Sequence, residues 1–521
     1  MNYVGTARPI HDAKGKATGY TKYAGDLSLP NMAYLCMLHS KIPHGYVKAV
    51  HAEKALALPG VYGVYHCLNT SERKYNRYRS SFDQAYLANE ERAFNQYVRF
   101  VGDKIGAVAA CDQETAEKAA RLVEVEYEEL SFSIGFDDTL AGKNCLDGET
   151  PVRDEYELDV GEKQGSAEGL IEVCSTMELP RLHHATMETH ACIADYDPYS
   201  DMLTVYCPNQ AVHGIRTVLA DFLEMPESHV RVVKATMGGS FGAKQEWFLE
   251  PVTALVAKKL CRPVKLVYSR GEAMTDTIVR GAMRMSARGY YTPDGEMKEI
   301  YCDVTLDAGA YIGNAGDYVR ALAGKPTRCY RIPYMHYHGQ VISSNSPVSG
   351  AFRSWSAAEE ALMMERQLDA AAEKLGMDRL AIRLKNVARS GEEDKKLHLS
   401  LEDIRIGDAI TLGSEKFGWD KLKAEDAAFN ASQQRYRRGV GIGIGGHGNT
   451  YFPRFNDYGE GSISLNADGS MQANFTLHDH GCGTVTAMRM IAAEVLKVPE
   501  DKIYMTEGDT AVTPIDYGCF A

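Results

Sequence analysis

Several β-branched runs in this chain break at clusters of glycine and then give way to helical periodicity, and this pattern restricts the folds open to it. The longest instance is Met237 to Pro251, MGGSFGAKQEWFLEP, between the run VRVVKA and a segment with apolar residues at Leu249, Val252, Leu255, Val256 and Leu260. That spacing is helical, so the sequence places Gly238, Gly239 and Gly242 in a strand-to-helix turn. Glycines there let the backbone approach an anion while the first free N–H groups of the helix point at it. Two familiar phosphate loops are excluded by spacing. Lys244 lies between Ala243 and Gln245 with no Ser or Thr after it, and GGSFGA does not read G-x-G-x-x-G.

Three further turns have the same character. In CPNQAVHGIR, Gln210 follows the strand-like LTVYC and precedes a helix; a neutral amide can donate a hydrogen bond without changing a site's charge. In SGAFRSWSAAEEALMMERQLDAA, Phe352, Arg353 and Trp355 enter a long helix. Aromatics flanking an arginine can stack on a flat ring and grip its carbonyl or carboxylate, although a core Phe beside a surface Arg reads equally well. In HDHGCGTVTAM, Gly481, Cys482 and Gly483 open a helix at about Thr484.

Strands alternating with helices make the fold class α+β. With 521 residues the chain exceeds one ordinary core and implies about three or four domains. Residues 1–135 read as a small α+β unit, in which Phe100 to Asp112 is a strand with a glycine turn and Gln113 to Leu130 a helix running into a strand. Asp159 to Gly169, DVGEKQGSAEG, reads as a linker, and 160–431 as the next unit, with strong helices at Glu250 to Leu260 and Ala357 to Leu375. The polar SQQRYRRG introduces a last unit over 432–521, which ends without a helix, cap or tail and so reads as incomplete.

A net charge of −13 with no basic patch excludes a general nucleic-acid binder. The 12 cysteines are scattered without any C-x-x-C pair, so reduced thiols are expected and an iron–sulfur cluster on this chain is not. With no apolar leader and no run of about 18 apolar residues, the chain reads as cytoplasmic, without a membrane partner. HHATMETH and HDH lack H-E-x-x-H spacing and read as structural histidines before they read as metal ligands.

The segments DAKGKATGYTKYAGDLSLPNMAY, VGDKIGAVAACDQETAEKAARLVEVEYEEL, GGSFGAKQ, LDAGAY, GAFRSW and GDTAVTPIDYGCFA occur in an order that resembles the molybdenum-binding subunit of the xanthine dehydrogenase and aldehyde oxidase family. Within that family FGAKQ followed by EP is most like the bacterial xanthine dehydrogenases. The resemblance implies an N-terminal α/β hammerhead-like domain followed by molybdopterin-binding domains, the second incomplete. It also implies a molybdenum-molybdopterin cofactor, in the cytosine dinucleotide form or a related one, with no protein ligand to the metal. By that resemblance Gln210 bonds an oxo ligand, and Gly239, Phe241, Gly242, Phe352 and Arg353 line the cofactor. Gly481, Cys482, Gly483 and Ala521 add further contacts, while Gln245, Arg320, Arg353 and Trp355 face the substrate.

Two departures from the family pattern stand out. Cys482 occupies the middle of a G-Q-G, and FRSWSAAE replaces FRGFGxPE, placing an indole where a phenylalanine usually faces the substrate. The reaction implied is hydroxylation of an electron-poor carbon, a purine first and nicotinate or an aldehyde next, with water as the oxygen source. The family's catalytic glutamate lies in a late Gly-Glu motif beyond this sequence. It is expected on another chain or segment, with [2Fe-2S] and FAD on partner subunits; a non-catalytic cofactor-holding subunit is the competing expectation.

Overall fold

The computed structural model describes residues 3–78, 87–143, 146, 150–163, 168–432, 435–448 and 459–519. Two sheets organise it. The larger has seven strands in the order Val230–Lys234, Met202–Cys207, Ala191–Asp197, Val264–Val267, Ala33–His39, Lys104–Ala110 and Val61–His66. Its central junction is a parallel pairing of Ala33–His39 with Val264–Val267, from Ala33 opposite Val264 to Leu35 opposite Leu266. Residues of the N-terminal unit and of the second unit therefore share one sheet and one core.

That core lies between the sheet and the helices Val212–Leu223 and Glu250–Leu260, where Leu35, Val205, Ile215, Val232, Val252 and Leu266 are almost fully buried. Each such aliphatic side chain contributes roughly 1.5–3 kcal/mol by leaving water. The expected helix Glu250–Leu260 is found at those bounds and ends at Cys261 in the left-handed conformation.

The second sheet has five strands in the order Ile171–Leu179, Ala282–Tyr291, Met297–Asp307, Tyr334–Ile342 and Val152–Gly161. Met283, Met285 and Ala287 alternate onto its buried face under Met363, Met364 and Leu368 of the helix Ala357–Leu375. That helix stops at Gly376, whose φ of 66° is a left-handed C-terminal conformation, and Arg379–Asn386 follows with Asp378 capping it.

The expected linker starts inside structure, because Asp159 to Gly161 complete the strand Val152–Gly161. VRDEYELDVG alternates charged and apolar residues with the period of a half-exposed strand, whereas its charges taken alone read as loop. Residues 164–167 of that linker lie outside the described residues.

The last unit has a three-stranded sheet, Gly461–Leu465, Met471–Phe475 and Ile503–Glu507, with the helix Thr484–Leu496 against it. It is joined to the larger sheet through Arg231 and Asp509, whose nitrogens and oxygens pair at 3.0 and 2.6 Å, through Lys234 and Glu507, and through the Thr510 N–H donating to the Val232 carbonyl at 3.0 Å. Among the described residues every cysteine is a free thiol, and no helix is long and apolar enough to cross a membrane.

Candidate functional site

The Gly-rich turn does not open the helix after it. Residues 243–249 lie between, non-helical and buried, because Trp247, Phe248 and Leu249 anchor in the core before the helix begins at Glu250. Its N–H groups are therefore those of a free-standing loop and not of a helix N-terminus.

A buried ion pair closes this loop on itself. Lys244 Nζ meets the Glu188 carboxylate, and the same carboxylate accepts the Gly238 N–H at 2.7 Å. Lys244 is thus a structural residue and not a phosphate ligand, and Glu188, which sequence spacing did not single out, is its partner.

Three loops meet here, two of them 30 residues apart along the chain and the third more than a hundred residues further on. Ser240 Oγ donates to Gln210 Oε1, the Arg353 N–H donates to the Phe241 carbonyl at 2.8 Å, and a Cβ on Gly242 would lie 2.6 Å from the Ala351 carbonyl oxygen. At φ 99° only glycine takes this position without strain, and it lets two backbone turns touch. Gln210 Nε2 donates to the Cys519 carbonyl at 2.6 Å and the Cys519 N–H returns to the Gln210 carbonyl at 2.9 Å, so the end of the described chain joins the same site. Ala521 lies outside the described residues.

Three amide donors are left over at this junction. No described residue accepts a hydrogen bond from the N–H of Phe241, Gly242 or Phe352, whereas that of Arg353 is taken by Phe241. Phe241, at φ 56°, is half exposed above these groups. Gln210 has used one of its two amide hydrogens. A cluster of unpaired N–H donors with one spare amide hydrogen matches an oxygen-rich, anionic ligand. The residues present fit a molybdopterin-type group.

The Phe352 ring is held from two sides. The Arg280 guanidinium lies 4.3 Å from its centroid, the His184 ring also lies at 4.3 Å, and His184 Nε2 contacts the Ala351 carbonyl at 2.8 Å. Burial lowers the His184 pKa to about 4, which keeps it neutral beside Arg280. Arg280 also donates to the Arg353 carbonyl at 2.8 Å and pairs with Glu359.

Beyond Arg353 the backbone of Ser354, Trp355 and Ser356 has φ of 75°, 27° and 67°, three successive non-glycine residues in the left-handed region. Strain of about 1–3 kcal/mol per residue has to be held by surrounding bonds. One is Lys325 Nζ, which donates to the Trp355 carbonyl at 2.6 Å. The indole packs edge-on to Tyr318 at 5.5 Å and touches both cores. Gln245 is buried, with its N–H on the Gly242 carbonyl at 3.2 Å.

Arg320 has other partners. Both its terminal nitrogens bind Asp154, at 2.6 and 2.8 Å, and the guanidinium lies 5.6 Å from the Tyr156 centroid, so the strand Val152–Gly161 holds it and none of its contacts is with Gln245, Arg353 or Trp355. In the fourth loop Asp479 accepts from Gly481 N at 2.8 Å and Gly483 N at 3.3 Å, and Cys482 Sγ lies 2.9 Å from Thr484 Oγ1. A carboxylate thus occupies amides that the resemblance assigns to the cofactor, while Gly239, at φ 94°, lies against the Phe241 ring.

The histidines of HHATMETH have separate duties. His183 bonds Thr277, His184 supports Phe352 and His190 bonds the Ala243 carbonyl at 2.9 Å. Among the described residues no group of His, Cys, Asp or Glu forms a metal-binding set.

Residues 18–131 match the family description "Aldehyde oxidase and xanthine dehydrogenase, a/b hammerhead domain", and residues 152–387 and 412–521 match "Molybdopterin cofactor-binding domain". The chain belongs to the molybdopterin-binding subunits of the xanthine dehydrogenase and aldehyde oxidase family, a family of molybdenum hydroxylases.

Among its relatives are the xanthine dehydrogenase molybdenum-binding subunit of Escherichia coli O157:H7, 30% identical with 98% of this chain and 68% of that one aligned, and a probable xanthine dehydrogenase subunit of Bacillus subtilis (strain 168), 32% identical over 99% and 67%. The nicotinate dehydrogenase large molybdopterin subunit of Eubacterium barkeri is 30% identical over 73% of this chain and 88% of its own. Among solved structures, aldehyde oxidoreductase from Desulfovibrio gigas superposes with a TM-score of 0.86 at 26% identity, covering 99% of this chain and 57% of that one.

Proposed function

We propose that this chain holds the molybdenum cofactor of a hydroxylase that oxidises a purine such as xanthine or hypoxanthine, with water as the oxygen source. The observation that carries the proposal is the meeting of Gln210, Phe241, Gly242 and Phe352 with unpaired N–H groups at their junction. When bound, the cofactor supplies the oxygen-transfer and two-electron chemistry. The chain's own part is to donate N–H groups from Phe241, Gly242 and Phe352, to direct the spare Gln210 amide hydrogen, and to exclude water with Phe241 and Trp355. Gly481 and Gly483 would contribute once Asp479 yields their amides, with Cys482 between them.

Gln245 and Arg353 offer polar contacts to the edges of a flat heterocycle and Trp355 an apolar face, so a plain aldehyde would leave polar groups unpaired. Arg280 and Arg353 favour a substrate that gains negative charge as oxygen is added. Arg320, held by Asp154, enters this reading only through its helix, in which Tyr318 supports Trp355. Nicotinate is the second reading, supported by the Eubacterium barkeri relative.

The cofactor form is proposed to be the cytosine dinucleotide, with [2Fe-2S] and FAD carried by partner subunits, and the base by a further chain or segment. The test is metal and pterin analysis of the purified complex, then kcat/KM for xanthine, nicotinate and benzaldehyde. Xanthine is expected to be preferred; benzaldehyde as the best substrate, or a complex without molybdenum, would overturn the reading.

A further inference from the structure

Behind the turn that presents Phe241 and Gly242, a second set of polar atoms faces inward. His190 Nε2 lies 2.9 Å from the Ala243 carbonyl, so Nε2 carries the proton and Nδ1 is an acceptor. That Nδ1 is buried and has no partner among the described residues. Glu246 Oε1 accepts the Ala351 N–H at 3.4 Å, and Oε2 is buried without a partner. Room for this carboxyl exists because residue 350 is glycine, where any Cβ would collide with Glu246 Oε1.

His190 and Glu246 border the same small cavity, about 10 Å³, with Asn209, Lys244, Phe248 and Glu250. That is about the space one water needs, and its walls offer the polar partners an internal water requires. His190 Nδ1 can only accept, so the cavity has to supply a donor.

Glu246 has no countercharge of its own. Arg77 acts on it from the N-terminal unit, but Arg77 binds Glu91, a carboxylate it shares with Lys104, which itself lies 3.9 Å from Asp276. Around the cavity the other titratable groups are His190, kept neutral by burial, Lys244, paired with Glu188, and Glu250, pushed up to about 7 by burial. Burial likewise raises Glu246 to about 8, against the nearby Arg77 and the Ala351 N–H.

We propose that this cavity is a single-water site, and that Glu246, through that water and the Ala351 amide, is a positioning residue that sets the spacing between the turn bearing Phe241 and Gly242 and the turn bearing Phe352 and Arg353. Its consequence for turnover rests on the function proposed above; the water and the carboxyl do not.

The test uses the full chain in whatever complex it purifies with. A crystal structure resolving ordered waters is expected to show one within bonding distance of His190 Nδ1 and Glu246. Infrared difference spectra between wild type and Glu246→Gln are expected to show a protonated carboxyl at neutral pH. A glutamate raised in the folded state contributes stability below its ordinary pKa that is lost as pH rises through about 8. The melting temperature of Glu246→Gln is therefore expected to fall less than that of wild type between about pH 6 and about pH 9.

Glu246→Leu is expected to lower kcat about tenfold at unchanged molybdenum content, with part of the loss recovered in Glu246→Gln. A dry cavity in the wild type, or an unchanged melting profile in Glu246→Gln, would overturn the proposal. Absence of turnover with every substrate, with water and carboxyl present, would overturn the functional reading alone.

Discussion

The amide of Gln210 is held at both ends, by Ser240 Oγ and the Cys519 carbonyl, and keeps one N–H in reserve. Gln210→Glu turns that donor into an acceptor facing a carbonyl. The expected result is a kcat about 10²-fold lower or less, the scale of losing one aimed donor, with a lowered melting temperature as the Cys519 contact opens. His184 gives a prediction in acid. Its folded pKa, lowered to about 4 by burial, lies below the ordinary 6.5, so its contribution is full above 6.5 and is lost as pH falls through 4. The loss is roughly 3 kcal/mol. Acid unfolding of His184→Gln should begin at lower pH than that of wild type, and equal midpoints by circular dichroism would show that the ring titrates freely.

At the scale of elements, the turns act as pairs. Gly242→Ala meets both a positive φ and the Ala351 carbonyl, while Gly376→Ala meets a positive φ with nothing within 4 Å. Thermal unfolding should show the first to be the more costly, by more than the ~1 kcal/mol of backbone strain alone. Lys325→Met removes the bond to the Trp355 carbonyl, on a turn that already has three residues at positive φ. A charged donor's bond contributes about 1.5–3 kcal/mol, and its loss should appear as a raised KM with a shifted indole fluorescence. An unchanged spectrum would separate Trp355 from that anchor.

At the scale of the molecule, the last unit is joined to the seven-stranded sheet through Asp509, which binds Arg231 with both oxygens and caps the Ala511 N–H at 3.1 Å. Asp509→Ala should make this joint the first to open, releasing a C-terminal fragment under limited proteolysis before the larger units are cut. Uniform digestion would contradict that.

Helices at Glu250–Leu260, Ala357–Leu375 and near Thr484 were legible in the sequence because their apolar residues repeat with helical period, and that period is a local property. The turn at Gly238 to Gly242 was legible as a turn but not its separation from the helix, because the burial of residues 243–249 is a tertiary property. Tertiary structure alone decided that Ala33–His39 would pair with Val264–Val267, since partner choice depends on surfaces more than two hundred residues apart. It also decided that Lys244 would turn inward to Glu188 and Arg320 outward to Asp154. A charged side chain takes whichever counterion the fold brings within reach, and the residue type does not encode that distance.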